Sequence, residues 1–254
     1  MKNPWFPIAL MLIVVLTVWL GIFGPLQDGF WNGLQKWQTL VGATVALIAA
    51  GFAIWNTTRS LRQNKQFEEQ RRTRKHAALR AVLPLALSQV SEYAERSAHA
   101  LDDLASRCSG GALPRMAASG DLVQPLPSDT LKTLTDFIEY SDNLDVAVIE
   151  STIAWIQIHD ARLRSLVKRN RTQRVIRAEL EARIIDAASI AAGAGTVYEY
   201  ARRQETQLQH TLPWAAVRNA LGSMRFWENE HPELYAILSG REQRSAGPFG
   251  RLNA

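Results

Sequence analysis

Asp136, Glu139, Asp142 and Asp145 recur every three residues, a run of oxygen ligands that raises the question of a carboxylate metal site. Steps of three on an α-helix drift by about 60° each, so the first and last of them face opposite sides. A solvated helix face accounts for them better. Glu228 and His231 form one E-x-x-H, whereas a di-iron bundle needs that motif twice, on inward-facing helices. This copy abuts Pro232 in a predicted turn. Glu95 and His99 share a helix face without the second histidine of a zinc helix. Cys108 is the single cysteine, so no intrachain disulfide can form. Its Ser/Gly-rich surroundings predict an exposed thiol rather than a nucleophile. His76, His99, His159 and His210 are scattered, and there is no Walker sequence, nucleophile elbow or Cys/His zinc frame. The sequence therefore predicts no catalytic residue, metal site or cofactor, and leaves an enzyme as the less favoured class.

The elements that would position any site fall into two populations. The totals, 47% hydrophobic and 21% charged with a net charge of +5, exclude a disulfide-stapled miniprotein and a disordered chain. A mean hydropathy of -0.12 also argues against a polytopic transporter. Within the average, Trp5 to Phe23 and Thr39 to Trp55 carry no charge at all. The first covers about 28 Å as a helix against a hydrocarbon thickness of about 30 Å. A cleaved signal peptide fits it less well, because Lys2 is a thin basic region and no A-x-A site follows. In the second, Gly42, Ala46 and Ala50 repeat every four residues with Ala49 and Ala53 beside them. Such a stripe lets another helix backbone approach closely, either within a hairpin of the two spans or as a seam between copies.

Arg59, Arg62, Lys65, Arg71, Arg72, Arg74, Lys75 and Arg80 follow the second span, offset only by Glu68 and Glu69, a net of +6 over 59–80. By the positive-inside rule this flank is cytoplasmic, and so are both termini. The run is either a solvated stalk or a surface for anionic headgroups, at about 1 kcal/mol per basic residue near the bilayer. Nucleic acid is the weaker reading, since Phe67 is the only aromatic in the run and no zinc or RNA-binding signature accompanies it.

Beyond it, three- and four-residue apolar steps predict helices to about Leu104, from Ser128 or Asp129, along 146–167 and over about 172–203. Pro84 is expected to kink or restart the first of these. Pro213 and Pro232 open two shorter helices. Segment 108–128, with three glycines and three prolines, is expected to be a flexible loop, and 241–254 a frayed tail. Along 146–167 the seam reads Val146, Ile149, Ile153, Ile156, Leu163 and Val167, with Asp160 in the missing place. Either Arg174 or Arg177 pairs with it as a buried ion pair, or it sits at a solvated edge. IAAGAG, 190–195, is explained by close packing or by a hinge. Residues 162–183 carry eight basic and two acidic side chains, net +6, against four basic and twelve acidic over 81–161, net −8. These segments are expected to complement one another, within the chain or between subunits; a second membrane-facing basic patch is the alternative.

The expectation is an all-α protein: two N-terminal transmembrane helices (1–58) followed by a cytoplasmic helical bundle, made of a basic stalk and first helices (59–107), the loop (108–128) and a helical domain (129–240). Trp37-Gln38-Thr39, the small-residue span, the Arg/Gln-rich stalk and Arg80-Ala81-Val82-Leu83-Pro84-Leu85-Ala86-Leu87-Ser88 resemble a loose group of uncharacterised bacterial inner-membrane proteins over about 37–105. The resemblance implies a bacterial membrane location and no particular activity. The layout is also similar to that of two-span membrane-disrupting effectors of phage defence. The expected function is a membrane-anchored interaction or sensory module that engages the bilayer and a protein partner or its own copies. The alternative is an oligomerising membrane effector.

Overall fold

The computed structural model describes residues 30–118, 122, 125–126, 128–141, 146–209, 211–245 and 247–249, and side chains from 42 onward. Six helices occur among the described residues: α1 (Phe30–Ser106), α2 (Ser128–Glu139), α3 (Ala147–Asn170), α4 (Arg177–Ala201), α5 (Trp214–Ser223) and α6 (Pro232–Glu242). Two two-residue strands, β1 (Ala112–Leu113) and β2 (Val175–Ile176), pair antiparallel, Ala112 with Ile176 and Leu113 with Val175. The all-α expectation holds. The chain divides into two compact units, 1–68 and 69–254.

In the first unit the predicted span 5–23 lies outside the described residues. The second, 39–55, belongs to α1, and the side chains of 39–41 lie outside the description. Among the described residues, no helix is long and apolar enough to cross a membrane. Residues 42–55 alone cover about 21 Å, short of the roughly 30 Å of hydrocarbon. Within them Val45, Leu47, Phe52, Ile54 and Trp55 are all exposed, Leu47 at 74%. Gly42, Ala46, Ala49, Ala50 and Ala53 are exposed too, and a Cβ at Gly42 would meet nothing within 4 Å.

In the second unit α1 runs through Pro84 without restarting. The proline removes one backbone donor, but the buried neighbours Leu83, Ala86, Leu87 and Val90 hold the helix against the core on either side of it. Tyr93, Ala94, Ser97, Leu101 and Leu104 extend that buried stripe at three- and four-residue steps. The centre of the unit is α4, which packs against α3, α5 and α6. It is buried almost all round, with Ile184 to Ile190 continuously enclosed. A helix apolar on every side belongs in a core.

Gly193 shows why small residues occupy its middle. A Cβ there would collide with Thr152 Oγ1 and lie 3.0 Å from Phe249 Cζ. Thr152 is tied by its hydroxyl to the Val148 carbonyl at 2.7 Å, so it has little freedom to give way. Gly193→Ala is therefore expected to destabilise the fold by about 1–3 kcal/mol, although alanine is intrinsically the better helix former by about 1 kcal/mol. A guanidinium unfolding midpoint no lower than that of the wild type would contradict this packing. The position is tightly packed, not a hinge.

The described part of the expected 108–128 loop is tied down. Gly110 and Gly111 take positive φ, 59° and 73°, as the two central residues of a tight hairpin turn must. Ser109 and Ala112 close the turn with reciprocal backbone bonds of 2.9 and 3.3 Å. Beyond it Asn170, fully buried, acts as a clamp: its amide donates to the Pro114 carbonyl and its Oδ1 accepts from the Ala118 N–H, both at 3.0 Å. The tail likewise docks as far as Phe249. Trp214 donates to the Ser245 carbonyl at 2.9 Å, and Phe249, buried, packs 5.9 Å from Trp155. Both segments look loose in sequence because their anchors, Asn170 and Trp155, lie far away along the chain.

Candidate functional site

Two features of the helical unit carry polar groups together. The first is a cleft of about 430 Å³ between α1, α4 and α5, within the size range of small-molecule sites. Ala191, Ala192 and Gly195 of α4 and Ala216 and Ala220 of α5 form its walls. These side chains are too short to close the gap, and a Cβ at Gly195 would meet nothing within 4 Å. Met224 and Ala192 are buried at its base. Its charged lining consists of Glu95 from α1 and Glu199 from α4. Ser91, Thr196, Gln209, Asn219 and Ser223 contribute the hydrogen-bonding groups.

The acidic character continues just past α4. Arg203, at φ 63°, reverses the chain so that the Gln204 and Glu205 N–H groups both reach the Glu199 carbonyl, at 2.9 and 3.3 Å. That turn sets the Glu205 carboxyl against that of Glu199. The hydrogen bond between them, with burial and mutual repulsion adding to it, raises the Glu205 pKa.

The second feature is buried. Asp186 on α4, its side chain wholly enclosed, accepts from three guanidiniums: Arg241 at 2.7 Å, Arg162 at 2.9 Å and Arg183 at 3.0 Å. Burial by itself would raise the carboxyl, but Arg241, through charge and hydrogen bond, and then Arg183 hold it below the ordinary carboxylate range. His159 on α3 belongs to the same interior. Its Nε2 lies 2.7 Å from Ser97 Oγ, its ring is edge-on to Tyr93 at 6.3 Å, and its Nδ1 is buried without a hydrogen-bond partner. Burial pushes the His159 pKa down to about 4 and that of Tyr93 up to about 12. Ser97, His159 and Asp186 bring a hydroxyl, an imidazole and a carboxylate into one neighbourhood. Nucleophilic catalysis needs substrate access and an imidazole oriented by the acid. Here Ser97 and His159 are closed to solvent, and Asp186 accepts its hydrogen bonds from arginines. The cluster is built for folding.

Asp160 does not pair with Arg174 or Arg177. It meets Arg164 one turn on at 2.9 Å, while Arg174 is exposed and Arg177 binds Glu181 at 2.8 Å. The reason is a rotation of the α3 seam. From Thr152 onward the enclosed residues are Thr152, Ile156, His159, Leu163, Leu166 and Asn170, which leaves Ile153, Asp160 and Val167 only partly buried. Ile176, inside the helix expected over about 172–203, is instead exposed in β2. Charge complementarity is also more local than expected. Arg169 pairs with Glu179, Arg177 with Glu181, and Arg162 and Arg183 with Asp186. Of the pairs made by 162–183, that of Arg164 with Asp160 reaches into the acidic 81–161 segment.

The basic run is divided in its use. Arg59, Arg62, Lys65, Arg71, Arg72 and Arg74 are exposed, with Arg59 stacked over Trp55 at 5.7 Å. Lys75 instead lies over the Tyr140 ring at 3.9 Å, and the Tyr140 hydroxyl raises its pKa. Arg80 lies over Tyr200 at 3.9 Å and donates to the Tyr200 carbonyl in the last turn of α4 and to the Glu205 carbonyl beyond it. Arg80 is a structural side chain of the helical unit rather than a headgroup ligand.

Among the described residues no three His, Cys, Asp or Glu side chains are grouped so as to hold a metal. Asp136 and Glu139 are on α2, and Asp142 and Asp145 lie outside the described residues, as does His210. Glu228 is exposed in the turn before α6, and His231 Nδ1 is 3.9 Å from Asp102. His99 stacks on Phe226 at 5.2 Å and stands 3.9 Å from Glu95. Cys108 is half-buried rather than exposed, its thiol directed at the Leu104 carbonyl at 3.7 Å, and burial raises its pKa. That disfavours the reactive thiolate. The cleft was hidden from the sequence because its walls are alanines and its acids lie more than a hundred residues apart. No protein-family model, curated protein or solved structure matches this chain, so its own residues carry the functional reading.

Proposed function

We propose that the protein is a membrane-anchored helical module that works by binding, with residues 69–254 as the binding unit on the cytoplasmic side. One observation carries this reading. Between Lys36 and Arg59 the chain has no charged residue, all of it lies in α1, and of its described large apolar side chains Val45, Leu47, Phe52, Ile54 and Trp55 are exposed and Ile48 partly so. As a helix, 37–58 extends about 33 Å, which matches the hydrocarbon layer. Exposed Val45, Leu47, Phe52 and Ile54 on this stretch of α1 need a cover, and lipid supplies it on all sides at once. Trp55 beside Arg59 suits the boundary, where an aromatic ring and a cation meet headgroups. The exposed basic side chains from Arg59 to Arg74 then set the orientation.

The test is alkaline carbonate extraction of membranes from cells making the full chain, with a reporter fused to its C-terminus. The protein is expected to stay in the pellet, with a fluorescent reporter active and a periplasmic phosphatase reporter inactive. Release into the supernatant, or the reverse reporter pattern, would overturn the reading. The second reading, an oligomerising effector, draws on the exposed stripe of Gly42, Ala46 and Ala50. Dye-loaded vesicles carrying the protein separate the two: the binding module leaves them sealed, and the effector empties them.

A further inference from the structure

We infer that the cleft between α1, α4 and α5 binds a linear aliphatic polyamine. The inference supplies the ligand class for the binding module above and rests on that reading of the helical unit.

The cavity and its charge pattern are complementary to such a chain. The cavity, about 430 Å³, has a base of Ala192 and Met224 and a wall of Ala220, a surface that takes methylene groups and offers no ring for a planar or quaternary cation to stack on. Its charged side chains are Glu95 and Glu199, and no Lys, Arg or His lines it. An anion there would meet like charge on two sides. A neutral ligand would make no use of the two carboxylates, of which Glu95 stands 3.9 Å from His99 outside the cleft lining. A chain of methylenes with an ammonium at each end satisfies both carboxylates while covering the apolar base. Glu205 adds a further negative charge from the turn beyond, where its backbone N–H reaches the Glu199 carbonyl. Three other features offer a ligand less. The Asp186 cluster is already paired to its arginines, the exposed basic run belongs to the membrane reading, and the buried His159 is closed to any ligand.

Two substitutions separate binding from folding. Gly195→Leu places a side chain in the open space of the cleft, where a Cβ meets nothing within 4 Å, and it improves the helix former. This variant is expected to melt no lower than the wild type. Glu199→Gln removes one exposed charge and leaves the shape unchanged. Calorimetric titration of the full chain in a non-ionic maltoside detergent with spermidine, and with 1,4-butanediol as the uncharged control, gives the result. Spermidine is expected to bind the wild type, about fivefold or more weakly to Glu199→Gln, and not measurably to Gly195→Leu, while the diol does not bind. No heat with spermidine, equal affinity for the diol, or binding unchanged in both variants overturns the inference. Carbonate extraction of the same variants reads the membrane anchor separately, so a failure of the ligand leaves the anchoring result standing, and the reverse.

Discussion

Replacing Asp186 by asparagine is expected to destabilise the helical unit by about 3–5 kcal/mol, the cost of leaving buried charges without their partner. Arg162, Arg183 and Arg241 come from α3, α4 and α6 and converge on this one enclosed carboxylate. Asparagine keeps the shape but turns one acceptor into a donor and removes the negative charge the three share, leaving Arg183 with Glu179 at 3.7 Å. The loss is large because each guanidinium sits where packing put it. Arg241 also donates to the Ala182 carbonyl at 2.9 Å, and Arg162 lies over Trp155 at 5.3 Å. Arg162 retains 37% side-chain exposure and can turn toward water, which draws the expected value to the lower end. For a unit of this size the melting temperature should fall by about 6–20 °C, followed by circular dichroism on the full chain in detergent. Asp160→Asn is the contrast: its pair with Arg164 is at the surface, with Arg164 67% exposed, and such pairs contribute about 1 kcal/mol or less. Equal losses in the two variants would remove Asp186 from the centre of the fold.

Acidification from pH 7 to pH 4 is expected to cost the protein roughly 3 kcal/mol of stability through His159 alone. The folded protein holds this imidazole neutral, with its pKa pushed from 6.5 down to about 4. Burial is the leading cause. Asp186 and Asp160 pull the pKa up, while Arg183 and Arg162 push it down. In the unfolded chain the group takes up a proton as pH falls through 6.5. The folded protein does not do so until about 4, so the unfolded state binds more protons across that window. Stability is therefore full above pH 6.5, declines as the pH drops to about 4, and levels off below it. Asp186 acts in a separate window. Its depressed pKa contributes stability above the ordinary carboxylate value, and that contribution is lost as the pH falls below it. Urea unfolding midpoints taken between pH 7.5 and 4 should slope for the wild type and be nearly flat for His159→Gln. An unchanged slope in that variant would show that other groups govern the acid transition.

These two residues also mark where reading along the chain stops being informative. The three- and four-residue spacing along α3 is plain in the sequence, and Ile149, Ile156 and Leu163 are enclosed as that spacing requires. A helix face defined this way is about 100° wide, so His159 and Asp160 were both candidates for the same inward place. The choice fell to α1 and α4, which present Ser97 and the Asp186 cluster to that side. Burying a neutral imidazole against a hydroxyl is also less costly than burying a second carboxylate near the first. Of the partners of Asp186, Arg183 is three residues away on the same helix, but Arg241 is 55 residues away along the chain, and nothing local links it to Asp186. The alternating alanines and glycines of 190–195 announced close contacts, yet only packing separated Gly193, pressed on Thr152 and Phe249, from Gly195, open to the cleft.

What the sequence by itself determined is whatever depends on near neighbours. Helix periodicity set the all-α class, and Pro213 and Pro232 marked the starts of α5 and α6. The uncharged stretch up to Arg59 and the basic run after it were equally plain. What only the tertiary structure decided is which of two adjacent residues faces inward, which charges meet, and where small side chains leave a cleft. Those outcomes depend on contacts between segments far apart in the chain, where burial and charge pairing are settled by the whole packed arrangement and not by spacing along any one helix.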